Sequence, residues 1–240
     1  MKKLISLIAA LCLCSAAFAA TMEEDVASYT QAFAEGKSIN PATLEALAWK
    51  GISDPRVFDL IEQRLTARAE EGLTDRHVKN EVALYIRALG YSGQSKYIPT
   101  LERYRDEVTY NGYVRDALED LPRYQRWNPV ISNRANFDPR YSDEVNRIRN
   151  MLQSDDFDLK KIGAKRVYYQ SKDDVLLEAL AEQIRATYMS NDERNGDSIA
   201  WMVKALGSAR QEKYRPLIEE VAANAPDNVI VRHARKAMKR

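Results

Sequence analysis

The feature that most constrains the fold is an internal duplication. Residues 83–121 align without a gap to residues 200–238, and thirteen of the 39 aligned positions are identical. The shared positions include an Ala-Leu-Gly triplet, a Lys-Tyr pair, a proline and the pattern Val-Arg-x-Ala. The similarity continues more weakly upstream, where residues 54–61 align with residues 173–180. We expect copied units of this length to stack, since one unit alone cannot bury its apolar faces.

The spacing of apolar residues within the copies is that of amphipathic helices. Glycine follows a helical pattern at Gly90 and Gly207, and proline falls in a predicted first helical turn at Pro99 and Pro216. No strand-like alternation with hairpin turns is present in the sequence. The sequence therefore predicts an all-α fold, a short, internally duplicated α-solenoid of stacked antiparallel helix pairs. About ten helices are expected.

The repeated pattern resembles a known family. Ala-Leu-Gly, a short loop, Pro-x-Leu/Ile, a polar turn with Asn and then Val-Arg-x-Ala is similar to HEAT and HEAT-like repeats of the phycobilisome-lyase-related type. The resemblance is clear over residues 78–121 and 194–240 and weaker over 41–72 and 154–190. It implies a structural role for Arg115 and Arg232, which would brace adjacent repeats.

These patterns divide the chain into segments. We expect an N-terminal capping helix in residues 20–40 and a first HEAT-like unit in residues 41–121. An irregular connector rich in arginine and aromatic residues, followed by a helix, is predicted for residues 122–153. A second HEAT-like unit occupies residues 154–240.

Residues 1–19 have the pattern of a secretory signal peptide. Lys2 and Lys3 precede an apolar run that is too short to span a bilayer, and Ala17 and Ala19 suit a cleavage site. Cleavage is expected after Ala19, which predicts a secreted bacterial protein located in the periplasm. Both cysteines, Cys12 and Cys14, lie in this segment, so the mature chain would carry no disulfide.

The predicted connector supplies the candidate binding site. It combines arginines with large aromatic residues, a mixture typical of binding hot spots. An alternative is that its aromatic rings pack between the two halves while the guanidinium groups stay exposed. The residues predicted to contact a partner are Arg123, Tyr124, Arg126, Trp127, Arg134, Arg140 and Tyr141.

Other aromatic residues are interpreted as structural. Tyr97 and Tyr214 occupy equivalent positions in the duplication, which indicates a role in the scaffold. Trp49 and Trp201 lie on helical apolar stripes, and we expect both in the core.

Charge is balanced overall but unevenly distributed. With 36 basic and 35 acidic residues, the chain has no global field that favours nucleic acid, and no nucleic-acid partner is expected. No later segment is apolar enough to predict a membrane span. Acidic side chains dominate the first half and basic ones the second, which permits self-association through oppositely charged ends.

Familiar catalytic and metal-binding motifs are missing from the sequence. It contains no GxSxG, P-loop, GxGxxG or HExxH pattern, and its two histidines, His77 and His233, belong to different helix pairs. No catalytic residue, cofactor or metal is therefore assigned. The resulting prediction is a non-catalytic periplasmic HEAT-repeat scaffold that binds an unknown protein or peptide. The alternatives are an enzyme accessory of the lyase-associated type and a self-assembling structural protein of the envelope.

Overall fold

The protein is all-α, with helix pairs that pack consecutively in the manner of a solenoid. The computed structural model describes residues 22–33, 39–190 and 192–239, and within these ranges it contains no strand. The predicted signal peptide, its cleavage site and both cysteines lie outside the described residues. The helices are α1 (22–33), α2 (Pro41–Lys50), α3 (Pro55–Arg68), α4 (Arg76–Tyr91), α5 (Ile98–Glu102), α6 (Asn111–Ile131), α7 (Asp143–Gln153), α8 (Phe157–Tyr169), α9 (Asp174–Thr187), α10 (Gly196–Ser208), α11 (Arg215–Asn224) and α12 (Asn228–Met238).

The chain forms two compact units, residues 1–129 (unit 1) and 130–240 (unit 2), which divide near the end of α6. None of the helices in the described ranges has both the length and the apolar character needed to cross a bilayer.

Unit 1 is centred on α4, which packs against α2 and α3. Local sequence sets where its helices begin, because an aspartate or asparagine side chain accepts the first free N–H groups of α2, α3 and α4. These caps are Asn40, Asp54 and Asp75. The apolar stripe of α3 is fully buried, as are Val82, Tyr85, Ile86 and Leu89 of α4.

Unit 2 is centred on α10, which packs against α8, α9 and α12. Its core is a continuous apolar cluster drawn from α7 to α12. Gly163 of α8 lets this helix approach α7 closely, since a Cβ there would lie 3.1 Å from the Met151 Cβ. The apolar faces of the neighbouring helices therefore pack around α10.

The two units repeat the same local architecture. Helix α4 ends at Tyr91 and α10 ends at Ser208, which are aligned positions of the duplication. A short 3-10 turn follows in each unit, at Ser95–Tyr97 and at Glu212–Tyr214.

Each 3-10 turn carries the same set of polar contacts. In unit 1 the Tyr97 hydroxyl donates to the Asp59 carboxylate at 2.7 Å, and the Lys96 ammonium lies 2.6 Å from the same carboxylate. In unit 2 the Tyr214 hydroxyl donates to Glu178 at 2.9 Å, and Lys213 lies 2.9 Å from it. We call each set the lysine–tyrosine–carboxylate seam. Both tyrosine rings are buried, which agrees with the structural role predicted for them.

Removing the tyrosine hydroxyl should destabilise each unit to a similar degree. Tyr97→Phe and Tyr214→Phe each delete a hydrogen bond to an ionised carboxylate, and we expect a loss of about 1–2 kcal/mol in the free energy of unfolding. Urea denaturation followed by circular dichroism measures this loss. Tyr113→Phe is the matched control, because the Tyr113 hydroxyl makes no hydrogen bond with other residues in the described ranges. An effect of Tyr113→Phe as large as that of the other two would contradict the role of the seam.

The seam also ties stability to pH through its carboxylates. The Lys96 ammonium, and then the Tyr97 hydroxyl, hold the pKa of Asp59 below its ordinary value. Lys213 and Tyr214 lower the pKa of Glu178 in the same order. Because both values are depressed in the folded state, this stabilisation is present above the ordinary carboxylate pKa and is lost as the pH falls below it.

The predicted irregular connector is largely helical. Helix α6 continues through Pro122 and Pro129 to Ile131, and α7 follows at Asp143. The sequence interpretation was wrong for residues 122–131 because it treated these prolines as breaks. Packing outweighs the helix-breaking tendency of proline here, since this part of α6 buries Tyr124 and Trp127 in unit 1.

The bracing role that the HEAT resemblance implied for the repeated arginine is not seen at Arg115. Its side chain is 72% exposed and lies 3.4 Å from Asp116, its neighbour in α6. Arg232, the equivalent residue of α12, is also exposed.

Candidate functional site

The residues predicted to bind a partner are split between the two units. In unit 1, Arg123 and Arg126 are exposed on α6. Tyr124 and Trp127 are only 4% and 5% exposed, and their ring centroids lie 5.2 Å apart. These two rings therefore belong to the core of unit 1, whereas the alternative interpretation of the connector placed its aromatic rings between the two halves.

In unit 2 the remaining arginines are engaged by local partners. The Arg134 guanidinium lies 2.7 Å from Asp143, and the Arg140 guanidinium lies 2.5 Å from Asp138. Arg140 also lies over the Tyr141 ring, 5.5 Å from its centroid. The proposal that these residues contact a partner stays a prediction.

A different site is formed in unit 2 between α8, α10 and α12. It is a pocket of about 250 Å³, which we call the lysine–histidine pocket. Its lining carries three basic side chains and no acidic one. The lining residues are Tyr168, Lys204, Gly207, Ser208, His233, Lys236 and Ala237.

Helical spacing brings these side chains together. Lys204 and Ser208 are four residues apart on α10, and His233 and Lys236 are three apart on α12, so each pair shares one face of its helix. The helices meet closely at Gly207, where an added Cβ would lie 2.4 Å from the Ala237 Cβ. This glycine allows α10 and α12 to pack closely, with their basic faces next to each other.

Aromatic rings, rather than carboxylates, surround the Lys204 ammonium. Its Nζ lies 3.8 Å from the Trp201 ring centroid and 4.4 Å from that of Tyr168. Lys165 approaches the same indole, with its Nζ 5.0 Å from the Trp201 centroid. Ring faces attract a cation without neutralising it as an ionised carboxylate does. In the part of the chain that the structure describes, no carboxylate lies within ion-pair distance of Lys204 or Lys236, so the pocket keeps its positive charge.

His233 adds a titratable imidazole to the pocket. Its pKa lies below the ordinary value of 6.5, first because the imidazole is partly buried and then because Arg232, Lys236 and Lys204 repel a further positive charge. Asp197 opposes this shift more weakly, and Lys161 forms an ion pair with that carboxylate. Burial and charge repulsion both favour the neutral imidazole, and a bound anion would favour its protonation.

Sequence analysis did not identify this pocket. It placed Trp201 in the core, whereas the ring is partly buried and its surroundings are cationic. His233 was considered only as a metal ligand. The available signal was the spacing of Trp201, Lys204 and Ser208, which indicates a mixed basic and aromatic helix face, but the contribution of α8 and α12 depends on tertiary packing.

Within the described ranges, no three His, Cys, Asp or Glu side chains are grouped so that they could hold a metal ion.

A structure of human deoxyhypusine hydroxylase in complex with glycerol is similar to this chain, with a TM-score of 0.37 and 14% sequence identity. The match covers 92% of this chain and 97% of that chain. No protein-family model and no curated protein sequence matches the chain. At this level of similarity the likeness assigns no activity to this protein.

The comparison nevertheless corrects the prediction of a non-catalytic scaffold. That prediction combined a repeat fold with the lack of familiar catalytic motifs, and it concluded that the protein is not an enzyme. The similar structure is that of an enzyme, a hydroxylase, and a fold alone does not decide whether a protein catalyses a reaction. The predictions that the protein is not an enzyme and that it is a non-catalytic scaffold were therefore wrong.

Proposed function

We propose that the lysine–histidine pocket of unit 2 binds a small molecule carrying a phosphate-class anion, and that the protein takes part in an enzyme-catalysed step on this ligand. The observation that carries the proposal is the pairing of Lys204 and Lys236 around one pocket whose lining contains no acid. Lysine binds phosphate as a compact point charge, and two of them suit a doubly charged anion.

The surrounding groups support the same ligand class. The Trp201 and Tyr168 rings fix Lys204 in place without cancelling its charge, as their distances to the ammonium indicate. His233 can take up a proton when the anion enters, which adds a third positive charge. The same imidazole can exchange a proton with a bound ligand, which is the usual contribution of histidine to enzyme reactions.

Two further parts of this proposal come from the sequence. The equivalent helices and the repeated seam support repeats of the HEAT-like type. The pattern of residues 1–19 supports secretion and a periplasmic location.

Replacing Lys204 and Lys236 should abolish most of the pyrophosphate binding. We expect Lys204→Met with Lys236→Met to weaken pyrophosphate binding at least tenfold, because each lysine contributes a charge-assisted contact. Isothermal titration at constant ionic strength gives the affinity. Nuclear magnetic resonance of the His233 ring should show its pKa rising when pyrophosphate is added.

Lys239→Met is the control for the loss of a single lysine charge, because Lys239 lies near the end of α12 and its side chain does not line the pocket. A loss of affinity in Lys239→Met equal to that of the double variant would mean diffuse attraction and would overturn the proposal. So would a His233 pKa that does not respond to pyrophosphate.

A further inference from the structure

The turn that follows α4 in one copy and α10 in the other carries a different residue in each. Gly93 follows α4, and the aligned residue after α10 is Arg210. Both adopt a left-handed backbone, with φ of 67° at Gly93 and 54° at Arg210. Glycine adopts this conformation readily, whereas an arginine there is strained. Arg210 is the single non-glycine residue with positive φ in the described part of the chain.

In unit 1 the turn is covered by a helix. A Cβ on Gly93 would lie 2.5 Å from the Gln125 backbone nitrogen and 2.7 Å from the Tyr124 carbonyl carbon. The late part of α6 therefore runs directly across this turn, and only glycine permits so close an approach.

In unit 2 the equivalent turn is open. Helix α12 meets α10 at Ala237, and its last helical residue is Met238. A pocket of about 180 Å³ lies at this turn, which we call the Arg210 pocket. The side chain of Arg210 also excludes a helix from approaching as closely as in unit 1, so the space suits a small occupant.

The Arg210 pocket combines an apolar floor with a basic rim. Leu206, Ile218, Ala237 and Met238 supply the floor. The rim contains Arg210, Gln211, Glu212 and Arg215.

The two arginines of the rim differ in what they contact. Arg215 lies 3.0 Å from Glu219 and 3.9 Å from Glu212, so its charge is balanced. Across the residues that the structure describes, no carboxylate lies within ion-pair distance of Arg210. The Arg210 guanidinium is therefore available to an anion beside the apolar residues of the pocket floor.

We propose that the Arg210 pocket binds a small carboxylate with an apolar ring, with the carboxylate on Arg210 and the ring on the Leu206, Ile218 and Met238 floor. A guanidinium matches a carboxylate in bidentate geometry, and the ring would occupy apolar space of the kind that α6 fills in unit 1. This site goes beyond the lysine–histidine pocket, which has a different basic set and no apolar floor of this kind.

Phenylacetate is a suitable probe, with the methyl signals of Ile218 and Met238 as reporters in nuclear magnetic resonance. We expect phenylacetate to shift both signals in a saturable manner. Phenylacetamide, which has the ring without the charge, and acetate, which has the charge without the ring, should each bind at least tenfold more weakly.

Arg210→Gly separates a binding role from a structural one. The substitution installs the residue found in unit 1, so the thermal midpoint should rise by roughly 2–4 °C as the backbone strain is removed. Phenylacetate binding should fall at least tenfold in the same variant, whereas Lys204→Met with Lys236→Met should leave it unchanged. Phenylacetate binding to Arg210→Gly within twofold of the parent, or equal binding of phenylacetamide and phenylacetate, would overturn the proposal.

Discussion

Gly93→Ala is expected to destabilise unit 1 by about 2–5 kcal/mol, the largest effect of any single methyl group that we anticipate in this protein. The left-handed backbone of this residue accounts for about 1–2 kcal/mol, because a Cβ in this conformation crowds the following carbonyl. The rest arises from overlap, since the new methyl group would lie 2.5 Å from the backbone of α6.

This result can be measured specifically in unit 1. In a Trp201→Phe background the remaining tryptophans, Trp49 and Trp127, both lie in unit 1, and their fluorescence reports its unfolding in urea. Gly112→Ala is the matched control, because no atom lies within 4 Å of the added Cβ and the residue is in the first turn of α6. We expect the control to retain full stability or to gain up to about 1 kcal/mol. An equal urea midpoint for Gly93→Ala and the parent would refute the close contact between the turn and α6.

Asn128→Ala is expected to lower the free energy of unfolding of unit 1 by about 2–3 kcal/mol, because this buried amide of α6 hydrogen-bonds to two other parts of the unit. The Asn128 side chain is 1% exposed. Its Nδ2 donates to the carbonyl oxygens of Tyr91 at 2.9 Å and Ser92 at 3.2 Å, and to the Ser53 hydroxyl at 3.0 Å. Alanine would leave carbonyl groups at the end of α4 without this donor in an environment that excludes water.

The same fluorescence measurement tests this prediction. Asn80→Ala serves as the control, because Asn80 is exposed on α4 and its replacement should change stability by less than about 0.5 kcal/mol. A loss in Asn128→Ala no greater than in Asn80→Ala would show that the buried amide contributes little.

Much of the fold could be predicted from sequence, because apolar periodicity and duplication are both local signals. The repeated Ala-Leu-Gly and Lys-Tyr patterns predict aligned helix ends and aligned turns, and both are found. Gly90 and Gly207 nevertheless lie inside α4 and α10, each of which ends one residue later. The described ranges contain twelve helices, against about ten expected, and the 21 residues of α6 include a segment that was taken for a connector.

The candidate sites could not be predicted in the same way, because they depend on contacts between helices that are distant in sequence. Prolines at positions 122 and 129 indicated a loop, and only the packing of Tyr124, Trp127 and Asn128 explains why α6 persists. Lys204 meets Tyr168 and His233 across three helices, an arrangement set by the approach of Gly207 to Ala237. The strain at Arg210 is likewise visible only in the backbone angles.

The lysine–tyrosine–carboxylate seam has a consequence for how such a protein can grow. The tyrosine and its carboxylate are separated by 38 residues in unit 1 and by 36 in unit 2, and an aspartate in one is a glutamate in the other. The longer glutamate side chain and the shorter intervening segment thus form the same hydrogen bond. A set of contacts that tolerates such variation can form again in a further copy. An array of this kind can therefore lengthen by tandem duplication, with the same three residues stabilising each new unit.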